Sequence, residues 1–340
     1  MNITSSNQPE SRRLADALDQ PRIGMISNPN SGANRKHLQQ INAIVAKQPA
    51  ILHRVTSSAD EIPAVLQQFK EQSINVLAIN GGDGTTAEVF THLLRDQALQ
   101  PLPLFVLLPG GTTNMNVGDV GIRGDLRKAV KTLCAWPDQN RQTTEILQRS
   151  IVKVVPGDEA LPVYGMFMGA GAIIQGIEYC HEKIHSRGVG NEIGPGLAMA
   201  RTLWGILRRD PRFIQPVKTT VTLNNQSEPI EQSMLLMLVS SLERLFLGMH
   251  PYWGTESGTL HCSMISEDAP RFIRTLPSLL RGRPPRHATP ENGYRSHNVD
   301  SLSLQMNGML TLDGEMYNID QTTGPARISD GGVLSFIRLK

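Results

Sequence analysis

The most informative stretch of the chain reads VLAINGGDGT, residues 76–85. An apolar run of strand length, Val76–Ile79, is followed by three glycines around an aspartate and then by a helical pattern, Thr86–Leu94. Glycines there let backbone N–H groups approach a phosphate with no Cβ in the way, and the following helix directs its positive end at the same place. The loop is predicted to hold phosphate, although a plain turn between strand and helix would use the same residues. Thr85 and Glu88 have the spacing of a capping box, so Glu88 is expected to be structural.

The same alternation of strand and helix extends over residues 21–143. Further strand-length apolar runs are Ile23–Ser27, Ile51–Val55 and Leu104–Leu108, and further helical patterns are Lys36–Lys47 and Ala59–Glu71. Such alternation indicates βαβ units and a parallel sheet with helices on its faces. Ligands bind at the carboxyl ends of the strands in sheets of this kind.

Two more polar, glycine-containing loops follow predicted strands. Asn28–Gly32 comes after the first strand and Pro109–Asn114 after the fourth. Each alone could be an ordinary turn. Three such loops at successive strand ends would converge on one crevice, which is the arrangement of a nucleotide site. Neither the G-x-G-x-x-G nor the G-x-x-x-x-G-K-[ST] pattern is present, so dinucleotide-binding and Walker-type sites are disfavoured.

After this region strand-like runs become denser, which predicts a second, mostly antiparallel, β-rich domain. The predicted strands are Ile151–Val155, Val163–Met168, Thr219–Leu223, Met234–Ser240, Thr259–Ile265, Ser301–Gln305 and Met309–Leu312. Two helical patterns lie near residues 172–185 and 196–208, and two exposed loops are expected at Arg208–Pro216 and Arg281–His297. The fold class expected is therefore α/β, with an N-terminal doubly wound nucleotide-binding domain and a second antiparallel domain.

Composition limits the class of protein. The 340 residues suffice for two domains, and 33 basic against 31 acidic side chains give a net charge of +2, which argues against a nucleic-acid partner. Three scattered cysteines without C-x-x-C spacing predict a reducing compartment. Residues 1–20 form a polar tail without the apolar segment of a secretory signal, and the longest apolar run, Met234–Val239, is too short to span a bilayer. We expect a soluble cytoplasmic protein, at most peripheral at the inner membrane face.

Taken together, these motifs resemble the diacylglycerol kinase catalytic-domain family, which includes bacterial lipid kinases and sphingosine kinases. The resemblance rests on four segments: Asn28–Gly32, Gly81–Thr85, Pro109–Asn114 and Leu312–Glu315. It implies an ATP-binding domain over residues 21–143, to which residues 322–340 return, and a lipid-substrate domain over residues 144–321, with ATP bound between the two.

The resemblance also implies roles for individual residues. The implied nucleotide-binding residues are Asn28, Asn30, Ser31, Gly32, Thr56, Gly81, Gly82, Asp83, Gly84, Thr85, Gly111, Thr112 and Asn114. Asp83 would act through Mg²⁺ or its waters. Glu315 would accept the proton of the substrate hydroxyl with Asp313 supporting it, while Asp83 is the alternative base. Read from the residues alone, Asp313-Gly314 is equally a hairpin turn.

The chain departs from the family pattern at three places. Met115 replaces an aspartate after Asn114, and Ile173 or Ile174 stands where an acidic residue often reads the lipid head group. Ser257 replaces the usual aspartate of a structural Mg²⁺ segment, so a metal there would lose its best oxygen ligand.

Other signals compete with this reading. His181–His185 spells H-E-x-x-H, a zinc protease pattern, but Lys183 lies inside it and Asn191 replaces the third histidine of the longer form. Residues 196–213 could form a basic amphipathic helix at an anionic membrane or a core helix with a solvated end. Arg281, Arg283, Arg286 and Arg295 of the second expected loop could likewise meet an anionic membrane, or could simply be solvated.

We therefore expect an ATP- and Mg²⁺-dependent kinase that phosphorylates a lipid hydroxyl, with diacylglycerol as the first acceptor to test. The alternatives are a sphingoid-base or other lipid kinase and a nucleotide-binding regulatory protein without activity. NAD kinase shares a loop of this type, but its further motifs are not evident. A homodimer is left open.

Overall fold

The computed structural model describes residues 8–138, 144–174, 217–224, 226 and 228–339. These residues form two compact units. The first contains the described residues up to Arg149 together with those from Val333 onward, and the second lies between Ser150 and Gly332. The sequence predicts boundaries at 143/144 and 321/322, whereas the two units divide at 149/150 and 332/333.

The first unit is a parallel sheet with helices. Its strands are β1 (Ile23–Ser27), β2 (Ile51–Val55), β3 (Val76–Gly81), β4 (Leu104–Pro109) and the end of β15 (Ala326–Leu339). Its helices are α1 (Gln8–Asp19), α2 (Asn34–Val45), α3 (Ile62–Glu71), α4 (Asp83–Leu94), α5 (Met115–Val120) and α6 (Leu126–Ala135). The strand order is β2-β1-β3-β4-β15, and all these pairs are parallel.

The core of the first unit explains why its strands are continuous apolar runs. Every residue of β1, β3 and β4 is buried, as expected for strands covered by helices on both faces. Three phenylalanines pack together: Phe105 of β4 lies 5.4 Å from Phe90 and 5.7 Å from Phe336 between ring centroids. The C-terminal strand therefore completes this core.

Two expectations for the first unit were wrong. Residues 8–19 of the expected polar tail form helix α1, and Ala17 is buried in the core with Leu14 and Leu18 packed beside it. Helix α4 begins at Asp83 with Gly82 as its N-cap, so Thr85 lies inside the helix and the capping box with Glu88 does not form.

The second unit is built from antiparallel strands. Its strands are the end of β5 (Thr144–Val155), β6 (Val163–Gly165), β7 (Phe167–Gly171), β8 (Val217–Leu223), β9 (Ile230–Ser240), β10 (Leu260–Ser266), β11 (Tyr294–Val299), β12 (Ser301–Gln305), β13 (Gly308–Leu312), β14 (Glu315–Ile319) and the start of β15. The order β14-β13-β7-β9-β8-β12-β15 forms the main run, with β10 between β9 and β11 and with β6 on β5. The α/β class with a βα domain and a β-rich domain is thus confirmed.

The stretch Arg281–His297, which we expected to be an exposed loop, is partly a strand. Strand β11 begins at Tyr294, whose side chain is only 1% exposed and donates from its hydroxyl to the carbonyl of Pro270 at 2.6 Å. Alternating polar residues concealed the strand, because only one of its faces is buried. Helix α7 (Phe272–Leu279) precedes it.

Several sequence features lie outside the described residues. They are most of the predicted helical pattern 172–185, the pattern 196–208, the H-E-x-x-H residues His181–His185, the basic segment to Phe213 and the loop Arg208–Pro216. Across the described ranges, no helix combines the length and hydropathy needed to cross a membrane.

The phenylalanine cluster gives the first prediction. Phe336→Ala should lower the free energy of unfolding of the first unit by about 3–5 kcal/mol, because Phe336 is fully buried and the change leaves a cavity. Urea denaturation measures the loss. The matched control is Val333→Ala on the same strand, where the side chain is 54% exposed and the change should be within about 0.5 kcal/mol. Equal effects at the two positions would show that the C-terminal strand does not belong to this core.

Candidate functional site

Three loops meet at one edge of the first sheet. They follow β1, β3 and β4, and these strands are neighbours in parallel register, with Ser27 opposite Asn80 and Gly81 opposite Pro109. The three polar segments that the sequence singled out therefore lie at adjacent carboxyl ends, where ligands bind in such sheets. Below, the Asn28–Gly32 segment is called loop 1, Gly81–Thr85 loop 2 and Pro109–Asn114 loop 3.

Loop 1 is held against loop 2 by side chains. The amide of Asn28 donates to the hydroxyl of Thr85 at 2.9 Å, and the backbone N–H of Gly82 donates to the hydroxyl of Ser31 at 3.2 Å. The Oδ1 atom of Asn28 also accepts from the backbone N–H of Asn30 at 2.8 Å, which closes loop 1 on itself. These contacts give both loops a defined shape.

Loop 3 is shaped by Asn114. Its Oδ1 accepts from the N–H of Gly111 at 2.8 Å, and its Nδ2 donates to the carbonyl of Gly111 at 3.0 Å. Asn114 has the left-handed conformation, with φ of 52°, which asparagine tolerates better than most residues. The N–H of Ala33 donates to the carbonyl of Gly110 at 3.0 Å, so loop 3 is also tied to the start of α2.

Asp83 connects loop 2 to loop 3. Its two carboxylate oxygens accept from the backbone N–H groups of Met115 and Asn116, each at 3.0 Å, which caps the first turn of α5. Burial raises the pKa of the Asp83 carboxyl, and the two N–H donors act in the opposite direction. Met115 stands at the departure from the family pattern, but the contact uses its backbone and not its side chain.

Close packing requires glycine at two of these positions. A Cβ on Gly111 would lie 2.5 Å from the Cα of Gly82, and a Cβ on Gly81 would lie 2.6 Å from the Cβ of Thr85. At Gly82 and Gly111, loops 2 and 3 thus approach each other through their backbones. A cradle of this kind presents main-chain N–H groups to a phosphate and fits the nucleotide that the resemblance implies.

Sequence reasoning missed two buried asparagines beneath the loops. Asn34 and Asn80 are fully buried; Asn34 Nδ2 donates to the carbonyls of Asn28 and Asn80, and Asn80 Nδ2 donates to the hydroxyl of Ser27. The Oδ1 atoms of both have no partner among the described residues. The available signal was Asn80, a polar residue at the end of the apolar run of β3. A buried amide with only part of its hydrogen bonds made is costly, so its presence there needs a local reason.

The other expected nucleotide residues differ in exposure. Thr112 and Asn30 are exposed, and Gly32 and Gly84 are partly exposed, so they border the cradle. Thr56 is buried, and its backbone N–H donates to the carbonyl of Ser27 at 2.9 Å. The Thr56 side chain therefore lies within the edge of the sheet and is not on the open surface.

The expected catalytic residues of the second unit lie on the β13–β14 hairpin. Asp313 and Gly314 have φ of 49° and 97°, the two positive values that a tight two-residue hairpin requires, and Leu312 pairs with Glu315. Asp313 is buried, and its carboxylate accepts from the N–H groups of Met166 and Phe167 at 2.9 and 3.0 Å. Glu315 is exposed, and within the described part of the chain its carboxylate has no hydrogen bond or ion pair.

The described residues offer little for a protein-built metal site. No group of three or more His, Cys, Asp or Glu that could hold a metal ion occurs within the described ranges. Ser257 is exposed, and its neighbour Glu256 is engaged elsewhere: Glu256 accepts from His297 at 2.7 Å and from the N–H of Asn298 at 3.1 Å. Burial acts to raise the pKa of Glu256, but these two bonds outweigh it and lower the pKa to about 2. The segment around Ser257 is thus held by protein groups.

The contact of loops 2 and 3 gives a second prediction. Gly111→Ala should lower stability by about 1–3 kcal/mol, because the new Cβ meets the backbone of Gly82 and the loops must separate. Calorimetry should show Mg-ATP affinity reduced by roughly tenfold or more.

Gly118→Ala on α5 is the matched control. A Cβ there has nothing within 4 Å, so both stability and Mg-ATP affinity should be preserved or improved. Normal Mg-ATP binding by Gly111→Ala would show that the contact of the two loops has no part in holding nucleotide.

Comparison with known proteins gives a family match for the first unit and a shared fold for the chain. Residues 22–146 match the model of the diacylglycerol kinase catalytic domain. A solved structure of a diacylglycerol kinase from Bacillus anthracis strain Sterne matches with a TM-score of 0.61 and 18% sequence identity, covering 93% of this chain and 96% of that one. A second structure, of a protein provisionally named a diacylglycerol kinase from the same strain, gives 0.63 and 18%, covering 94% and 97%. No curated protein gives a significant match.

At 18% sequence identity the two solved structures show that the fold is shared. Residues 22–146, which contain all three loops, therefore belong to the diacylglycerol kinase catalytic-domain family.

Proposed function

We propose that this protein transfers the γ-phosphoryl group of ATP to the hydroxyl of a lipid, with diacylglycerol as the first acceptor. The observation that carries the proposal is the joining of loops 1, 2 and 3 at adjacent strand ends through Asn28, Ser31 and Asp83. The family match over residues 22–146 supports a kinase of the lipid kinase family.

The cradle supplies what a nucleotide phosphate needs. Helix α4 begins at Asp83 with Gly82 as N-cap, so its first N–H groups and its positive dipole end lie in loop 2. Loop 3 brings Gly111 against Gly82, and the exposed Thr112 borders the same place. Phosphoryl transfer demands mostly positioning and charge stabilisation, which backbone N–H groups of this kind provide.

Asp83 is the residue that would hold Mg²⁺ in the first unit, either directly or through a water molecule. Both of its oxygens already accept one backbone hydrogen bond, and a carboxylate offers about four acceptor positions, so capacity for a cation remains. Mg²⁺ in nucleotide sites commonly uses one or two carboxylates together with phosphate oxygens and waters, which suits a site with a single acid. When bound, the ion would neutralise charge on the transferring group.

The surroundings of the three acids favour Glu315 as proton acceptor. Asp83 and Asp313 each accept backbone N–H bonds at both carboxylate oxygens, which fixes the position of each side chain. Glu315 is exposed at the start of β14. A carboxylate that is not committed to the fold can take the proton of a lipid hydroxyl as the phosphoryl group moves.

Incubation of the purified protein with labelled ATP, Mg²⁺ and a panel of lipids tests the function directly. We expect label in the product of a diacylglycerol, identified by chromatography and mass spectrometry. Label in a sphingoid base or another lipid alcohol would keep the kinase and change its substrate. Tight ATP binding without label in any lipid would favour the regulatory-protein alternative.

Glu315→Gln tests the assignment of the base. The change keeps the shape and removes the basicity, so turnover should fall roughly 10²–10⁴-fold while Mg-ATP affinity stays unchanged. Steady-state kinetics and calorimetry separate these two quantities. The control is Glu231→Gln, an exposed carboxylate on β9, which should have full activity. Full activity of Glu315→Gln would move the search for the base to Asp83.

A further inference from the structure

The second unit contains a basic cavity that the proposed chemistry does not use. Its volume is about 440 Å³, and its lining includes Glu243, Arg244, His250, Leu280, Arg281 and Arg283. Three arginines against one glutamate give its lining an excess of positive charge. We call this pocket, with its lining residues, the basic cavity.

The lining residues of the basic cavity come from two segments, 243–250 and 280–283, which are fixed to one another. The N–H of His250 donates to the carbonyl of Leu280 at 2.8 Å. Gly282, with φ of 66°, turns the chain after α7. The chain there passes so close to Tyr252 that a Cβ on Gly282 would lie 2.7 Å from the carbonyl oxygen of Tyr252. The Nδ1 atom of His250 lies 2.7 Å from the carbonyl of Glu243, which can only accept, so this nitrogen carries a proton. The arginines therefore project from a defined backbone.

The arginines have spare bonding capacity. Arg281 donates one Nη1 bond to the carbonyl of Pro277 at 3.0 Å, at the C-terminal end of α7. The Arg244 and Arg283 side chains are exposed, and neither side chain has a hydrogen bond or ion pair with any described residue. Guanidinium groups whose donors are not taken up by the described part of the chain can each pair with a phosphate oxygen.

An apolar side chain stands next to these charges. Leu247 is 75% exposed, and its neighbour Gly248 belongs to the cavity lining. Leu247 also has φ of 57°, a left-handed conformation that costs a branched apolar residue energy. Its loop is closed by the bonds from Leu245 N–H to Met249 and from Gly248 N–H to Leu245, so the exposure is a property of the fold.

We propose that Leu247 and the basic cavity form a docking site for an anionic phospholipid surface. The arginines would pair with lipid phosphates while Leu247 enters the boundary between head groups and acyl chains. Basic residues with an adjacent apolar side chain are what interfacial binding requires. The inference rests on the proposed function to the extent that an enzyme acting on lipid must visit a membrane, and it names the surface that would do so.

Vesicle sedimentation without ATP tests the proposal. Wild-type protein should bind vesicles of phosphatidylcholine with phosphatidylglycerol, bind phosphatidylcholine alone much less, and lose binding as salt rises. Arg244→Ala combined with Arg283→Ala should weaken binding to the anionic vesicles roughly 25-fold, about fivefold for each arginine. Leu247→Asn should weaken it roughly tenfold, and asparagine suits the left-handed conformation, so this variant should fold.

Matched controls and one competitor complete the experiment. Leu161→Asn changes another exposed leucine, 68% exposed, and Lys218→Ala another exposed cation of the second unit; both should bind like wild type. Equal binding by the cavity variants and wild type would overturn the proposal. So would release from vesicles by millimolar inorganic phosphate at constant ionic strength, which would indicate a site for a soluble anion.

The test is independent of the kinase assay. The cavity variants should phosphorylate detergent-dispersed lipid at the wild-type rate, because none of these residues belongs to the three loops or to the β13–β14 hairpin. Vesicle binding by a protein that phosphorylates no lipid would refute the proposed function and leave the docking site standing.

Discussion

The contact between the Asp83 carboxylate and the backbone of Met115 and Asn116 holds the candidate site together. Asp83 starts α4, so its position is set by the β3–α4 connection, while its oxygens set the position of the first turn of α5. Loop 3 lies between β4 and that turn and is thereby fixed against loop 2. The contact is possible only because Gly111 lets the two backbones approach. Burial raises the pKa of this acid, and the two N–H bonds partly offset the cost of keeping it charged.

A similar device occurs in the second unit. The Asp313 carboxylate accepts from Met166 and Phe167, which fastens the β13–β14 turn to the β6–β7 junction. Two aspartates to which the sequence motifs gave chemical roles thus also act as backbone anchors. Removal of either would leave buried N–H donors without partners, so loss of activity in such variants needs a stability measurement before it is assigned to chemistry. Glu315 is free of this ambiguity, because its exposed side chain anchors nothing within the described part of the chain.

The sequence predicted the strands of the first unit well and its contacts poorly. The runs Ile23–Ser27 and Ile51–Val55 matched β1 and β2 residue for residue, since apolar segments with polar ends are a local signal. Strand β3 continues to Gly81, beyond the predicted end at Ile79. The prediction stopped there because Asn80 is polar, but Asn80 is fully buried and belongs to the strand. The start of α4 was misplaced, because a glycine N-cap lacks the side-chain signature of a cap. The Asp83 anchor could not be predicted, because its partners are backbone groups more than thirty residues away.

Amide hydrogen–deuterium exchange of the wild-type protein, with and without Mg-ATP, tests the central claim most directly. If loops 1, 2 and 3 together form the nucleotide cradle, Mg-ATP should slow exchange in peptides covering residues 28–32, 81–85 and 110–114 at once. Protection should extend to the first turn of α5 through the Asp83 anchor. Binding of Mg-ATP without protection in these three segments, or with protection confined to another part of the chain, would contradict the account.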